Sequence, residues 1–225
     1  MADIVKIIKE KMRKQPTYLF NSRVFVYVKD PLPKDFNFDF VLKKIEDMIP
    51  IELIFDLDAI YVGQFDFLDQ RNYTATYKDG AIYITNQQKS EKEMIQDFVH
   101  EVSHLIEETH TDIVYDDKTI ENEFLKKRRA LLSLLNSNGY QPPPILMKQP
   151  QYNPHLDQFF VKTVGYPLLT TLVNGIFNSP YAATSLREYF ARGFEEFVMG
   201  DRHYLRKISP VLYSKIEELM YSDEV

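Results

Sequence analysis

The stretch from Met94 to Ile106 constrains this chain most, because its apolar residues fit only one kind of element. Met94, Ile95, Phe98, Val99, Val102, Leu105 and Ile106 recur at steps of three and four, the period of a helix with one apolar side. His100, Glu101 and His104 lie off that side. Side chains four apart on a helix project in the same direction, so His100 and His104 can offer two neutral imidazoles to one ion. Glu101, between them, stands where a carboxylate can take a proton from a water on that ion. His-Glu-x-x-His on a helix is for this reason a zinc-site signature, and the expected cofactor is one Zn2+. Without a third ligand the two histidines would be no more than a solvated helix face.

Composition narrows the class. With 44% hydrophobic and 27% charged residues the 225-residue chain reads as an ordinary globular protein, not a disordered one. Its length suits one domain built as two lobes around a cleft. A net charge of -6 argues against a nucleic-acid surface, which needs concentrated Lys and Arg. No apolar run approaches a membrane span, and Met1 to Lys6 lacks the apolar segment of a secretory signal, so the expected location is cytoplasmic. A mature secreted chain would read the same way. The absence of cysteine removes thiolate ligands, leaving His, Asp and Glu to hold any zinc.

Taken in order, Ile4 to Met12 reads as a short amphipathic helix, and Tyr18 to Val28 alternates as one strand ended by Pro31-Leu32-Pro33. A helix is expected over Asp39–Met48, with strands at Ile51–Phe55 and Ala59–Gln64. Tyr73–Lys78 and Ala81–Thr85 flank Asp79-Gly80, a two-residue hairpin signal, and Ser90 with Glu93 forms a capping box that starts the histidine helix. Beyond it helices dominate. Thr119–Ser137 is expected as a helix whose Lys126-Lys127-Arg128-Arg129 run is a solvated face. Gln141 to Pro154, with five prolines, should be extended and unable to join a helix. Further helices are expected over Asp157–Ile176, interrupted at Gly165-Tyr166-Pro167, over Ser185–Met199, and over Ser209–Met220.

Two residues compete as third ligand. His110 lies ten residues after His100, a spacing that would require an abrupt turn three residues after His104, where Glu107 stands instead of glycine. Glu188 lies on the polar side of the Ser185–Met199 helix, and a carboxylate there can complete a His-His-Glu site. It could equally pair with the Ser185 cap or with Arg192. His155 and His203 read as loop or surface residues.

Helix, sheet, hairpin and histidine helix in this order resemble the first lobe of zincin peptidases. Glu188-Tyr189-Phe190-Ala191, downstream of His100-Glu101-x-x-His104, is similar to the catalytic domain of anthrax toxin lethal factor and the related Pro-Pro endopeptidases, gluzincin-type zinc metallopeptidases. The resemblance spans roughly residues 81–199. It implies a zincin-like α+β fold: a small mixed sheet and the active-site helix in lobe 1 (about 1–110), a helical lobe 2 (about 111–225), and the site at their junction. It implies His100, His104 and Glu188 as zinc ligands, Glu101 as general base, and Tyr181, seven residues before Glu188, as the hydrogen-bond donor to the oxyanion. The chain departs from the family at Arg192, where a second glutamate is usual; Glu195 could neutralise it. The expected function is hydrolysis of peptide or protein substrates by a zinc-dependent endopeptidase. The alternative is a zinc-stabilised binding or assembly module that has lost turnover.

Overall fold

A computed structural model describes residues 17–21 and 23–221. The helix expected at Ile4–Met12 lies outside them. Within them the protein is mixed α+β, with one five-stranded sheet and ten α-helices. The chain divides into two compact units, the first running to Leu105 and the second starting at Ile106.

The first unit holds the sheet, made of β1 (Thr17–Leu19), β2 (Val24–Val28), β3 (Ala59–Gly63), β4 (Ala75–Lys78) and β5 (Ala81–Thr85). Their order is β1-β2-β3-β5-β4, with β2, β3 and β5 parallel and the two outer strands antiparallel to their neighbours. Val26, Ile60 and Ile82 stand in register, as do Val62 and Ile84, and all five are buried. The opposite face carries Tyr27, Tyr61 and Tyr83, also in register. Between β4 and β5, Asp79 and Gly80 both take positive φ (51° and 75°), the backbone that a two-residue hairpin turn requires.

Two strand expectations are corrected here. Tyr18–Val28 is a hairpin, because Phe20 and Asn21 turn into the left-handed region (φ 52° and 55°) and the Arg23 N–H donates to the Leu19 carbonyl at 3.1 Å. The reversal lets Leu19 pair with Val24, both buried. Ile51–Ile54 is a 3-10 turn following Pro50. The Leu53 N–H donates to the Pro50 carbonyl at 3.2 Å, the three-residue hydrogen bond that closes such a turn. The helices of this unit are α1 (Phe38–Met48), capped by the Asn37 side chain, a short α2 (Asp66–Asp69), and most of α3 (Glu91–Thr109).

Among its described residues the second unit is entirely helical. After the end of α3 come α4 (Thr111–Tyr115), α5 (Thr119–Ser137), α6 (Pro154–Gln158), a π-helical turn over Phe159–Val164, α7 (Tyr166–Val173), α8 (Leu186–Met199), α9 (Arg202–Ile208) and α10 (Pro210–Tyr221). The helix expected from Asp157 starts earlier, since Asn153 accepts from the His155 and Leu156 N–H groups and Pro154 suits a first helical position. It ends where Gly165 takes φ +81°. The proline-rich segment is not wholly extended: Leu146–Lys148 makes a 3-10 turn. The basic run of α5 is a solvated face only in part, because Lys126 and Arg129 are exposed while Lys127 and Arg128 are buried, Arg128 completely. Glu123 of α5 accepts the Val211 and Leu212 N–H groups of α10 and the Tyr189 hydroxyl of α8. Among the described residues, no helix is long and apolar enough to cross a membrane.

Candidate metal centre

Helix α3 starts at a side-chain cap. Ser90 Oγ accepts the Glu93 N–H at 3.2 Å, while the Glu93 carboxylate reaches back to the Lys89 N–H at 2.7 Å, one residue before the position a capping box uses. Two turns on, the His100 and His104 rings stand edge to face with centroids 4.8 Å apart. Ser103 Oγ donates to the His100 carbonyl. From Glu101 to Ile106 every residue is buried, so α3 is enclosed on its polar side as well as its apolar one. His104 is 7% and Glu101 8% exposed; His100 is half-buried.

Glu101 has a partner from the sheet, since Oε2 accepts the backbone N–H of Tyr77, in the edge strand β4, at 2.6 Å. Nearby on α3, burial pushes the Asp97 carboxyl above the usual range, opposed by hydrogen bonds from Gln88 and Thr74.

Glu188 sits in the first turn of α8. Ser185 caps that helix, its Oγ accepting the Glu188 N–H at 3.1 Å, and the Leu186 N–H donates to the Pro150 carbonyl at 2.7 Å. The ligand atoms of His100, His104 and Glu188 all lie within 4.8 Å of one another. Tetrahedral zinc with bonds of about 2.1 Å spaces its ligand atoms by roughly 3.4 Å, so the widest pair would close by about 1.4 Å, within reach of small side-chain rotations. Two imidazoles and a carboxylate are the donor chemistry of a zinc site with a position left for water, and the residues present fit the ion.

The remaining named residues have distinct surroundings. His110 directly precedes α4 without a side-chain cap hydrogen bond, and its Nδ1 lies 2.8 Å from Thr109 Oγ1; it does not belong to the metal-competent group found among the described residues. His155 and His203 are exposed, on α6 and α9. Tyr181 opens a 3-10 turn, Tyr181–Ala183, and is half-buried under the Arg192 guanidinium, 5.4 Å from its ring centre. Arg192 pairs with Glu195 at 2.9 Å.

Several residues around the site carried no motif. Glu107 accepts the Tyr115 hydroxyl at 2.5 Å and pairs with Arg187, the residue before Glu188, at 3.5 Å. Burial, reinforced by the Glu107 charge, keeps the Tyr115 hydroxyl protonated far above its ordinary range. Arg128 could have been found from spacing alone. It falls between Phe124 and Leu131 on the apolar stripe Ile120, Phe124, Leu131, Leu135 of α5, where a solvated arginine has no place.

Comparison of the chain with protein-family models, with curated proteins and with solved structures finds no match.

Proposed function

We propose that this chain is a zinc-dependent endopeptidase of zincin-like fold, with one ion held by His100, His104 and Glu188. One observation carries the reading: two imidazoles one helical turn apart and a carboxylate from a helix 84 residues further along the chain present their donor atoms within 4.8 Å. When bound, zinc supplies a Lewis acid for the scissile carbonyl and brings the pKa of a water near neutrality.

The chain's own residues do the rest. Glu101 takes the proton of the attacking water and returns it to the leaving amine. One N–H from Tyr77 occupies part of a carboxylate that has about four lone-pair sites, so Glu101 keeps the capacity to accept a proton. The Tyr181 hydroxyl donates to the carbonyl oxygen as it gains charge. Arg192 adds no net charge there, because Glu195 neutralises it. An extended peptide would lie along the edge of β4 and use its main-chain groups.

A second reading is a zinc-stabilised binding module without turnover. The Tyr77–Glu101 contact favours it, since an acid tied to a strand N–H also serves a structural role. Metal analysis and a cleavage assay on a diverse peptide library separate the two. The endopeptidase reading expects one zinc per chain in the wild type and in Glu101→Gln, with cleavage falling by about 100-fold or more in the variant. Stoichiometric zinc with no cleavage by the wild type supports the binding module. Protein that takes up no zinc overturns both.

A further inference from the structure

We propose that Arg128 is a positioning residue of this metal centre, holding the segment that carries Tyr181 and Glu188; the inference rests on the zinc reading above. Arg128 lies in the middle of α5 and is completely buried. Four of its five N–H donors go to backbone carbonyls. Nε reaches Ala183 at 2.8 Å and Nη2 reaches Thr184 at 2.5 Å, while Nη1 bridges Leu146 at 3.0 Å and Gln149 at 2.9 Å. Its guanidinium also covers the Phe124 ring at 4.8 Å.

None of those four acceptors carries a formal charge. A buried cation satisfied only by carbonyl dipoles is a poor way to stabilise a fold, since a well-packed apolar side chain of the same volume does as well or better. What an apolar side chain cannot do is bind two separate segments in one register, and the planar guanidinium fork suits that task. Both segments lead to the first turn of α8. Ala183 and Thr184 directly precede the Ser185 cap, and the Thr184 N–H donates to the Tyr181 carbonyl at 2.9 Å, closing the turn that holds Tyr181. Gln149 is followed by Pro150, whose carbonyl accepts the Leu186 N–H.

The neighbouring residue works on the other end of the same segment. Lys127 Nζ donates to the carbonyls of Ile176 and Ile208. Residues 176–184 are therefore held at both ends by consecutive cations of α5, and Glu188 follows one turn later. Arg128 touches neither ion nor substrate in this account. It acts by fixing where Ser185, and through its cap Glu188, begin the helix.

The test compares Arg128→Met and Arg128→Lys with Leu131→Ala, a fully buried neighbour on the same stripe of α5. Zinc dissociation constants are measured by chelator competition at a temperature where circular dichroism shows each protein folded. Thermal midpoints of the metal-free proteins and absorption spectra of the Co2+-substituted forms are recorded alongside. Positioning predicts zinc affinity at least about tenfold weaker in Arg128→Met, a smaller loss with an altered Co2+ spectrum in Arg128→Lys, and affinity and spectrum retained in Leu131→Ala even where its midpoint falls as far. Wild-type zinc affinity in both Arg128 variants, or affinity that falls in step with thermal stability in all three, overturns the proposal. If Arg128→Met does not fold, Arg128→Lys against Leu131→Ala decides on the same criteria. A wild type that binds no zinc is a different failure, because it removes the metal reading itself and this inference with it.

Discussion

The backbone N–H of Tyr77 donates to the carboxylate of Glu101 at 2.6 Å, joining an edge strand to the acid between the two histidines. A carboxylate held by a strand N–H has a fixed direction, so the strand positions the proposed base. Tyr77→Pro removes the donor at an edge position whose N–H is not spent on β5, where proline is tolerated. With the carboxylate released, kcat should fall by about tenfold or more with zinc retained, while Tyr77→Ala, which keeps the N–H, should leave kcat close to wild type. Steady-state kinetics and metal content of both variants test this, and equal kcat in the two would count against it.

Ser185 joins helix stability to the proposed metal centre, because its Oγ accepts the N–H of Glu188 itself. Ser185→Ala should lower unfolding stability by about 1 kcal/mol and weaken zinc binding as the first turn of α8 frays. Ser185→Asn, which retains a capping oxygen, should recover most of both. Urea titration and chelator competition on the three proteins provide the comparison.

At Gly193, α8 packs tightly against α10. A Cβ there would lie 2.3 Å from Leu212 Cδ2 and 3.0 Å from its Cγ, so Gly193→Ala should destabilise by about 1–3 kcal/mol. Trimming the partner should relieve the overlap, leaving the Gly193→Ala/Leu212→Ala pair less destabilised than the sum of its parts. A double-mutant cycle of denaturation free energies measures the coupling; strict additivity would mean the helices separate to accommodate the methyl group.

Lys127 gives a pH dependence with a defined sign. Burial pulls its ammonium down to about 8 from an ordinary value of 10.5, with the Glu123 charge opposing. Between those two values the unfolded chain holds the proton that the folded chain has released, so this group's contribution to stability rises as pH increases. Below about 8 both states carry the charge and the contribution is flat. Relative to Lys127→Met, the wild type should therefore gain stability from pH 8 to 10.5 and no further. Denaturation midpoints of the two proteins across that range decide it, and parallel curves would refute the assignment.

What could be read from the sequence was whatever local chemistry dictates. Asp79-Gly80 supports positive φ without strain, and β4 and β5 follow; Ser90 and Ser185 stop the backbone with their own side chains, and α3 and α8 start there. The grouping of His100, His104 and Glu188 draws on helical spacing for the histidines and on family resemblance for the glutamate. The misreadings arise where tertiary packing outweighs local pattern. Nothing in Phe20-Asn21 announces a reversal, yet turning there buries Leu19 against Val24. A run of four cations suggests solvent for Arg128, yet its place between Phe124 and Leu131 puts it in the core, where carbonyls of two loops accept its N–H groups. Tyr77 could not be singled out, since what it contributes is a main-chain group that every residue but proline possesses.

The burial of α3 on all sides from Glu101 to Ile106 bears on how quickly a bound ion would exchange. Residues so enclosed come free only when the surrounding core opens, on the slow timescale of large-scale unfolding, so under the zinc reading the imidazole of His104 would be slow to let go. Glu188 stands one turn into a helix whose start is also buried, held by the Ser185 cap and, through Ala183 and Thr184, by Arg128. Under the zinc reading, the residence time of a bound ion would therefore be governed by opening of the buried core rather than by fraying of a helix end.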